Sequence, residues 1–389
     1  MIDQNLIPVL DPNPLPAPYW VFKLLLIVTF VLHIVAMNLV LGGGVLALTA
    51  RLFAGRSGYA RRVYQEISTK LPALLPATIT LGVAPLLFVQ VIYGQFFYTS
   101  SVIVAWPWFS VLVLLTLAYY GFYFVSYRAR RESKATGWVL MPSVVFVTAI
   151  GFVYTNNFTL SSTPDRWVKY FADPSGWSLN LSEKTLVPRF LHFFAAAVAV
   201  AGMFVALIGL AKWRKEGEYA RYLVQFGGKA FLYATMAQFV LGAWFLMSLP
   251  RERFMVFMGE SVLASSLFIL GLAGALAAIV ILSGSLRGSD PRRGILWSAA
   301  ITVVVIASMA VMRDLLRDAY LGRNFQPGQM VVKTQWQVLP LFLVLFISGA
   351  LLWLVMMKRY GFLRETAAED PAVRTASGTG PFDSGRHGR

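Results

Sequence analysis

The sequence contains no cysteine and little charge. None of its 389 residues is Cys, and only 13% are Asp, Glu, Lys or Arg. The absence of cysteine excludes disulfides, metal sites held by thiolates, and haem attached through a Cys-x-x-Cys-His motif. The scarcity of charge, with 57% hydrophobic residues and a mean hydropathy of +0.64, excludes an ordinary soluble domain.

Several signatures of enzymes are also missing. The sequence has no phosphate-binding glycine loop, no HExxH zinc motif and no recognisable Ser-His-Asp arrangement. Residues 1–18 contain no Lys or Arg and therefore lack the basic region of a cleavable signal peptide. Kinase and hydrolase functions have no support, and the first apolar segment must direct membrane insertion.

Long apolar runs are what the sequence does contain. A helix of about 20 apolar residues crosses a hydrocarbon core of roughly 30 Å. The sequence therefore predicts an all-α, polytopic membrane bundle of about nine transmembrane helices. The predicted spans are 19–50, 71–94, 105–127, 138–158, 188–211, 223–248, 259–284, 294–312 and 338–358.

The net charge of +16 predicts topology and not binding to nucleic acid. Lys and Arg gather in segments that alternate with the spans, at 51–70, 128–134, 212–221, 287–293 and 358–359. Basic loops stay in the cytoplasm, so the N-terminus is expected outside and the C-terminus inside. We expect an outer segment at 1–18, a membrane domain at 19–363 and a disordered cytoplasmic tail at 364–389.

Two histidines lie within predicted spans. His33 is in the first span and His192 is near the outer start of the fifth, whereas His387 falls in the tail. A neutral imidazole in a membrane offers one nitrogen lone pair that suits haem iron. A hydrogen bond to a neighbouring helix is an equally good explanation at this stage. His33 and His192 are thus candidate metal ligands.

Arginines accompany these histidines. Arg189 lies one helical turn before His192, where it could bind a haem propionate or extend toward lipid headgroups. Arg313 and Arg317 are spaced i and i+4 and therefore share one helical face. They could bind propionates or an acidic partner, although surface charges paired with their neighbouring aspartates are favoured by the sequence.

Other polar residues in the spans are few. Gln90, Asn156 and Asn157 are expected to form hydrogen bonds between helices. The Gly42-Gly43-Gly44 run is expected to allow close helix packing. The spans hold almost no Asp or Glu, so no carboxylate relay for protons is visible. Neither an inverted repeat nor a polar midplane site favours a transporter.

Several segments together resemble subunit I of cytochrome bd-type quinol oxidases. They are His33, Thr80 to Ala84, Tyr154 to Asn157, and Arg189 to His192 followed by Ala201 to Phe204. The resemblance implies a nine-span protein with an outside N-terminus and haems near the outer face. It also implies that His33 serves a high-spin haem of the oxygen-reducing site and that His192 is the axial ligand of a low-spin haem b.

The sequence departs from that family at other sites. Gln90 and neutral residues through Ser110 and Tyr119 stand where the family has glutamates in the second and third spans. The family's Met ligand for the low-spin haem lies in the seventh span, but no Met occurs here between Met258 and Met309. The outer loop that contributes to quinol oxidation is reduced to about ten residues around 250–258. These differences indicate a divergent relative that is not a competent oxygen reductase.

Two functions remain after this comparison. The first is a b-type cytochrome subunit of a bacterial inner membrane that transfers electrons between the quinone pool and an outer-side redox partner. It would bind one or two haems b, with quinone, a second membrane subunit and an outer-side c-type cytochrome as candidate partners. The alternative is a haem-free structural or assembly subunit of a bd-like respiratory complex.

Overall fold

The computed structural model describes residues 7–8, 13–129, 135–288, 290–322, 324–325 and 330–356. The tail predicted at 364–389 lies outside these residues. Within this part of the chain the secondary structure is helical apart from short turns and one isolated bridge. The helices are α1 Tyr19–Phe53, α2 Gly58–Ser68, α3 Leu71–Ile103, α4 Ala105–Arg128, α5 Ala135–Ser161, α6 Lys169–Ala172, α7 Leu186–Lys212, α8 Gly217–Ser248, α9 Arg251–Met255, α10 Val262–Arg287, α11 Arg292–Leu321 and α12 Val338–Met356.

The predicted all-α membrane bundle is confirmed. Among the described residues, nine helical segments are long and apolar enough to cross a membrane. They coincide in order with the nine predicted spans. Because the hydrophobic length of each helix must match the bilayer, span number is the property that hydropathy determines best.

Two predicted boundaries are wrong. Helix α3 continues to Ile103 and α11 continues to Leu321, so residues 95–103 and 313–321, which lie beyond the predicted spans 71–94 and 294–312, are helical. In α3 the backbone leaves helical geometry at Tyr93, with φ −122° and ψ 28°. Both extensions carry polar residues, which lower hydropathy without interrupting the helix.

Close contacts through glycine hold α1, α7 and α8 together. A Cβ atom at Gly42 would stand 2.0 Å from the carbonyl oxygen of Ala197 in α7. In the same way, Gly202 of α7 and Gly227 of α8 each face the other helix's backbone. These contacts confirm the packing role expected for the first glycine of the 42–44 run.

We call the end of this bundle where α1 begins the top and the opposite end the bottom. At the top, Leu15 pairs with Val332 in the isolated bridge. At the bottom, Lys212 of α7 forms ion pairs with Glu66 of α2 and with Glu216, at 3.0 and 3.2 Å. Helix α2 is amphipathic and packs by its apolar face, so these ion pairs fix it to the bottom of the bundle.

Helix α12 belongs to a second compact unit that begins at Trp336, whereas the first unit ends at Gln335. It contains 19 residues, nearly all apolar, which is enough for one span. The divisions predicted at 1–18, 19–363 and 364–389 stay predictions.

Candidate functional site

His33 is held against α3 by one hydrogen bond. Its Nδ1 lies 3.1 Å from the carbonyl oxygen of Thr78. A carbonyl oxygen only accepts, so Nδ1 must donate and carry the proton. In the neutral ring this leaves the Nε2 lone pair available for a metal. Gly82 lies directly against the same ring, since a Cβ there would be 2.8 Å from Cε1.

His192 occupies a similar position between α7 and α8. A Cβ atom at Gly242 would lie 3.2 Å from its Cε1 and 3.3 Å from its Nδ1. The backbone of Gln238 lies beside the ring, yet Nδ1 forms no hydrogen bond of normal geometry with any described group. Nδ1 thus faces the backbone of α8, which leaves Nε2 as the nitrogen that could bind a metal.

Three arginine side chains converge on the ring of Phe158, which projects from α5. The Cζ atoms of Arg189, Arg313 and Arg317 lie 5.1, 4.1 and 5.2 Å from the centre of that ring. We call these three side chains the guanidinium cluster. Cation–π attraction to the shared ring offsets part of the repulsion among the three positive charges. It offsets only part of the cost of burying them.

Further aromatic rings connect the guanidinium cluster to both histidine sites. The Cζ atom of Arg189 also lies 4.9 Å from the centre of the Phe245 ring in α8, the helix against which His192 rests. Arg313 lies 4.3 Å from the ring of Phe30, one helical turn before His33 in α1. The cluster therefore includes or contacts groups that lie one helical turn from each histidine.

Acidic groups nearby are already engaged. Asp314 binds both Lys23 and Arg317, and Asp318 accepts hydrogen bonds from Lys23 at 2.8 Å and from the Tyr93 hydroxyl at 2.7 Å. Neither Arg189 nor Arg313 forms an ion pair with any carboxylate in the described part of the chain.

The charges around the cluster do not balance. Five cationic side chains, Lys23, Arg166 and the three arginines, meet three carboxylates, Asp314, Asp318 and Glu183, so two positive charges remain. Arg189 and Arg313 lie deep among the helices, although protein does not fully cover either side chain. Uncompensated charge inside a membrane protein is expensive, and a bound anion would relieve it.

These positions correct one expectation. Asp314 and Arg317 are not surface charges, because they are only 5% and 4% exposed. They do pair with each other as expected, and the Asp318 side chain is 37% exposed. The predicted sharing of one helical face by Arg313 and Arg317 is confirmed, since both contact Phe158. Packing of α11 against α1 and α5 turns this face inward.

Sequence reasoning missed Lys23, Tyr93 and Phe158. A lysine four residues into an apolar helix is a recognisable sign of a buried ion pair, and Lys23 fits that description. Nothing in the local sequence distinguishes Phe158 from other span phenylalanines. Its role depends on three helices meeting at one ring.

The expected interhelical hydrogen bonds are present at Asn157, whereas Asn156 bonds to a loop residue. Asn157 of α5 bonds to Ser100 and Ser101 of α3, and the side-chain oxygen of Asn156 accepts from the backbone of Asn180. Gln90 only accepts a hydrogen bond from Tyr98 of its own helix, at 3.3 Å. The asparagines are therefore structural, and they position the end of α5 that carries Phe158.

A cavity of about 290 Å³ lies at the top of α3, apart from both histidines. Its lining is mainly aromatic and comprises Tyr98, Thr99, Val102, Ile103, Trp167, Tyr170 and Phe171. The donor groups described above are not among these residues, so the chemistry of the site rests on His33, His192 and the guanidinium cluster.

Comparison with known proteins gives a likeness of structure and not of sequence. No protein-family model matches the chain, and a search of curated proteins finds no match. The structure of bd oxidase from Geobacillus thermodenitrificans superposes on it with a TM-score of 0.69. The fold is similar to that of a bd oxidase. The alignment covers 90% of this chain and 100% of that one, at 12% sequence identity, so the likeness shows a shared fold.

The residues of this site fit a haem. His33 presents a neutral nitrogen donor whose other nitrogen is fixed by a backbone carbonyl, the usual support for a metal-binding imidazole. His192 is an imidazole whose buried Nδ1 lies against the backbone of α8, which leaves Nε2 as its donor nitrogen. Arg189 and Arg313, which form no ion pair with a described carboxylate, suit haem propionates. Donor nitrogens and anion-binding groups thus occur together in the same part of the bundle.

Proposed function

We propose that the chain is a b-type cytochrome subunit of a bacterial inner membrane, transferring electrons between the quinone pool and an outer-side redox partner. The observation that carries this proposal is the guanidinium cluster, with two unbalanced positive charges beside two histidines. A structural helix bundle has no need for such charges. A cofactor with carboxylates and a nitrogen-binding metal accounts for both features.

Each residue has a stated role in the proposal. His192 and His33 would ligate iron through Nε2, Arg189 would bind a propionate beside His192, and Arg313 one beside His33. Arg317 is engaged by Asp314 and stabilises the arrangement through Phe158. A haem b supplies a one-electron iron couple when bound. The protein residues hold it, neutralise its carboxylates and keep water away from the ring.

The packing of the histidines favours two haem sites over one shared site. His33 rests against α3, whereas His192 rests against α8. The two rings are therefore turned towards different helices, and imidazoles so placed would serve different irons.

The partners in this proposal follow from the reaction. Electrons from a quinol must leave the membrane interior, and a soluble c-type cytochrome at the top of the bundle would accept them. A second membrane subunit is proposed as well. Co-purification without any cytochrome or second subunit would count against these partners.

The reduced-minus-oxidised visible spectrum of the purified protein, with a pyridine haemochrome assay, tests the proposal. We expect haem b bands in the wild type, one component lost in His192→Ala and another lost in His33→Ala. Tyr154→Phe serves as a control, because its ring stays packed on Trp108 and contacts neither histidine. A colourless protein expressed with ample haem would overturn the proposal and favour the haem-free structural or assembly subunit.

A further inference from the structure

Both histidine rings rest on a glycine of the neighbouring helix, and the two arrangements correspond. The His33 ring contacts the carbonyl of Thr78 and lies against Gly82, four residues further along α3. The His192 ring lies beside the backbone of Gln238 and against Gly242, again four residues further along α8. In an α-helix the N–H of residue i+4 donates to the carbonyl of residue i. Each ring therefore lies over one intrahelical hydrogen bond.

The glycine explains why a ring can approach this position. A side chain at i+4 flanks the carbonyl of residue i and would cover its free lone pair. At Gly82 an added Cβ would be 2.8 Å from Cε1 and 2.9 Å from Nδ1 of His33. Neither distance is tolerated, so the ring would have to move away from the Thr78 carbonyl. At Gly242 the corresponding 3.2 and 3.3 Å to His192 require a smaller displacement.

We propose that Gly82 and Gly242 are positioning residues that orient His33 and His192, so that Nδ1 faces the helix backbone and Nε2 faces the cofactor. This inference rests on the proposed function. It goes further in assigning the ring nitrogen that binds iron and in naming the two residues that fix it. Neither glycine would touch iron, and each acts through its histidine.

Alanine at each glycine tests the proposal against matched controls. Gly94→Ala in α3 places a Cβ at an ordinary 3.5 Å from Tyr98, and Gly217→Ala in α8 meets no atom within 4 Å. The measurement is the low-temperature EPR spectrum of the oxidised full-length protein, together with its visible spectrum. Both report iron–imidazole geometry and are insensitive to a merely structural change elsewhere.

We expect each glycine variant to change the spectrum of only the haem whose histidine it contacts. Gly82→Ala should shift or abolish the spectral component that His33→Ala removes, and leave the other component unchanged. Gly242→Ala should do the same for the component of His192, with a smaller shift because its contact is looser. Glycine variants that match their controls, or that affect the opposite component, would overturn the inference while leaving the haem proposal intact.

A second measurement keeps both glycines, so it does not depend on whether a glycine variant folds. Solid-state ¹⁵N NMR of the full chain, labelled at histidine and reconstituted without haem in lipid, reports which ring nitrogen carries the proton. His387→Gln removes the third signal. We expect His33 to be protonated at Nδ1 and bare at Nε2, and the opposite tautomer would overturn the inference. A wild type that binds no haem when haem is supplied would overturn the proposed function and, with it, the positioning role.

Discussion

At the scale of single residues, the guanidinium cluster is the feature that most needs an explanation. Each cation–π contact recovers about 0.5–2 kcal/mol, less than the several kcal/mol that it costs to desolvate an ion. Arg317 is relieved further by Asp314, but Arg189 and Arg313 are not. The protein alone therefore leaves both arginines in an unfavourable electrostatic state, which a bound dicarboxylate would improve.

Removing one of these charges should change the redox potential of a bound haem. In Arg313→Gln, the lost positive charge no longer favours the reduced, less positive iron, so the midpoint potential should fall. A charge acting over about 12 Å at an effective dielectric of about 20 contributes ~1.4 kcal/mol, or about 60 mV. Redox titration of the visible bands measures this shift.

The matched control is Arg293→Gln, since Arg293 is exposed at the other end of the same helix. The midpoint potential of the haem in Arg293→Gln should stay at the wild-type value. An unchanged or raised potential in Arg313→Gln would contradict a propionate role for Arg313.

At the scale of helices, the contact of α1 with α7 brings the two histidine-bearing helices together. It depends on Gly42, where no side chain fits against Ala197. Backbones this close gain dispersion contacts along their whole length, which replaces the hydrophobic driving force that is absent in lipid. The separation of His33 and His192 is consequently set by a residue outside the site.

Gly42→Ala should destabilise the bundle, since its Cβ would overlap a backbone atom that cannot rotate away. Overpacking of this kind costs typically about 1–3 kcal/mol. Gly43→Ala is the control, because its Cβ would meet only side-chain atoms of Leu71 and Ile67, at 3.4 and 3.7 Å. Thermal unfolding in detergent, followed by the fluorescence of the 11 tryptophans, should show a lower midpoint for Gly42→Ala alone. Equal midpoints for both variants would contradict this account.

At the scale of the whole molecule, charge is sorted between the two ends. The bottom is held by a surface cluster in which Glu216 binds Arg62 and Lys212, whereas the top contains the inward-facing charges. Partial burial raises the pKa of Glu216, but hydrogen bonds from Arg62 and Lys212 outweigh this and hold its pKa below the usual 4.5. A depressed pKa contributes stability above the unfolded value, and that contribution is lost as pH falls through the folded value.

Glu216→Gln should therefore lower stability at neutral pH and remove part of the loss that the wild type shows on acidification below pH 4.5. The ion pairs of Glu216 are partly exposed, so the expected loss in the free energy of unfolding is about 0.5–1 kcal/mol. Unfolding midpoints compared between neutral and acidic pH measure the difference. Glu260→Gln, exposed at the top, is the control. Parallel acid sensitivity in the wild type and Glu216→Gln would refute the assignment.

The sequence predicts the membrane helices because hydrophobic length alone determines them, and the site only in part. His33, His192 and Arg189 are conspicuous as rare polar groups in apolar runs. The ends of α3 and α11 were misplaced, since helix persists after hydropathy falls. Phe158 could not be predicted because its role arises only where α5, α7 and α11 meet.

The Gly42 contact also has a consequence for biosynthesis. Its partner Ala197 lies 155 residues later in the sequence, so α1 enters the bilayer well before α7 is made. At about 5–20 residues per second the delay is roughly 10–30 s. During that interval the glycine face of α1 has only lipid or other early helices to contact. Nascent chains that stop before α7 should therefore be the forms that quality-control proteases degrade.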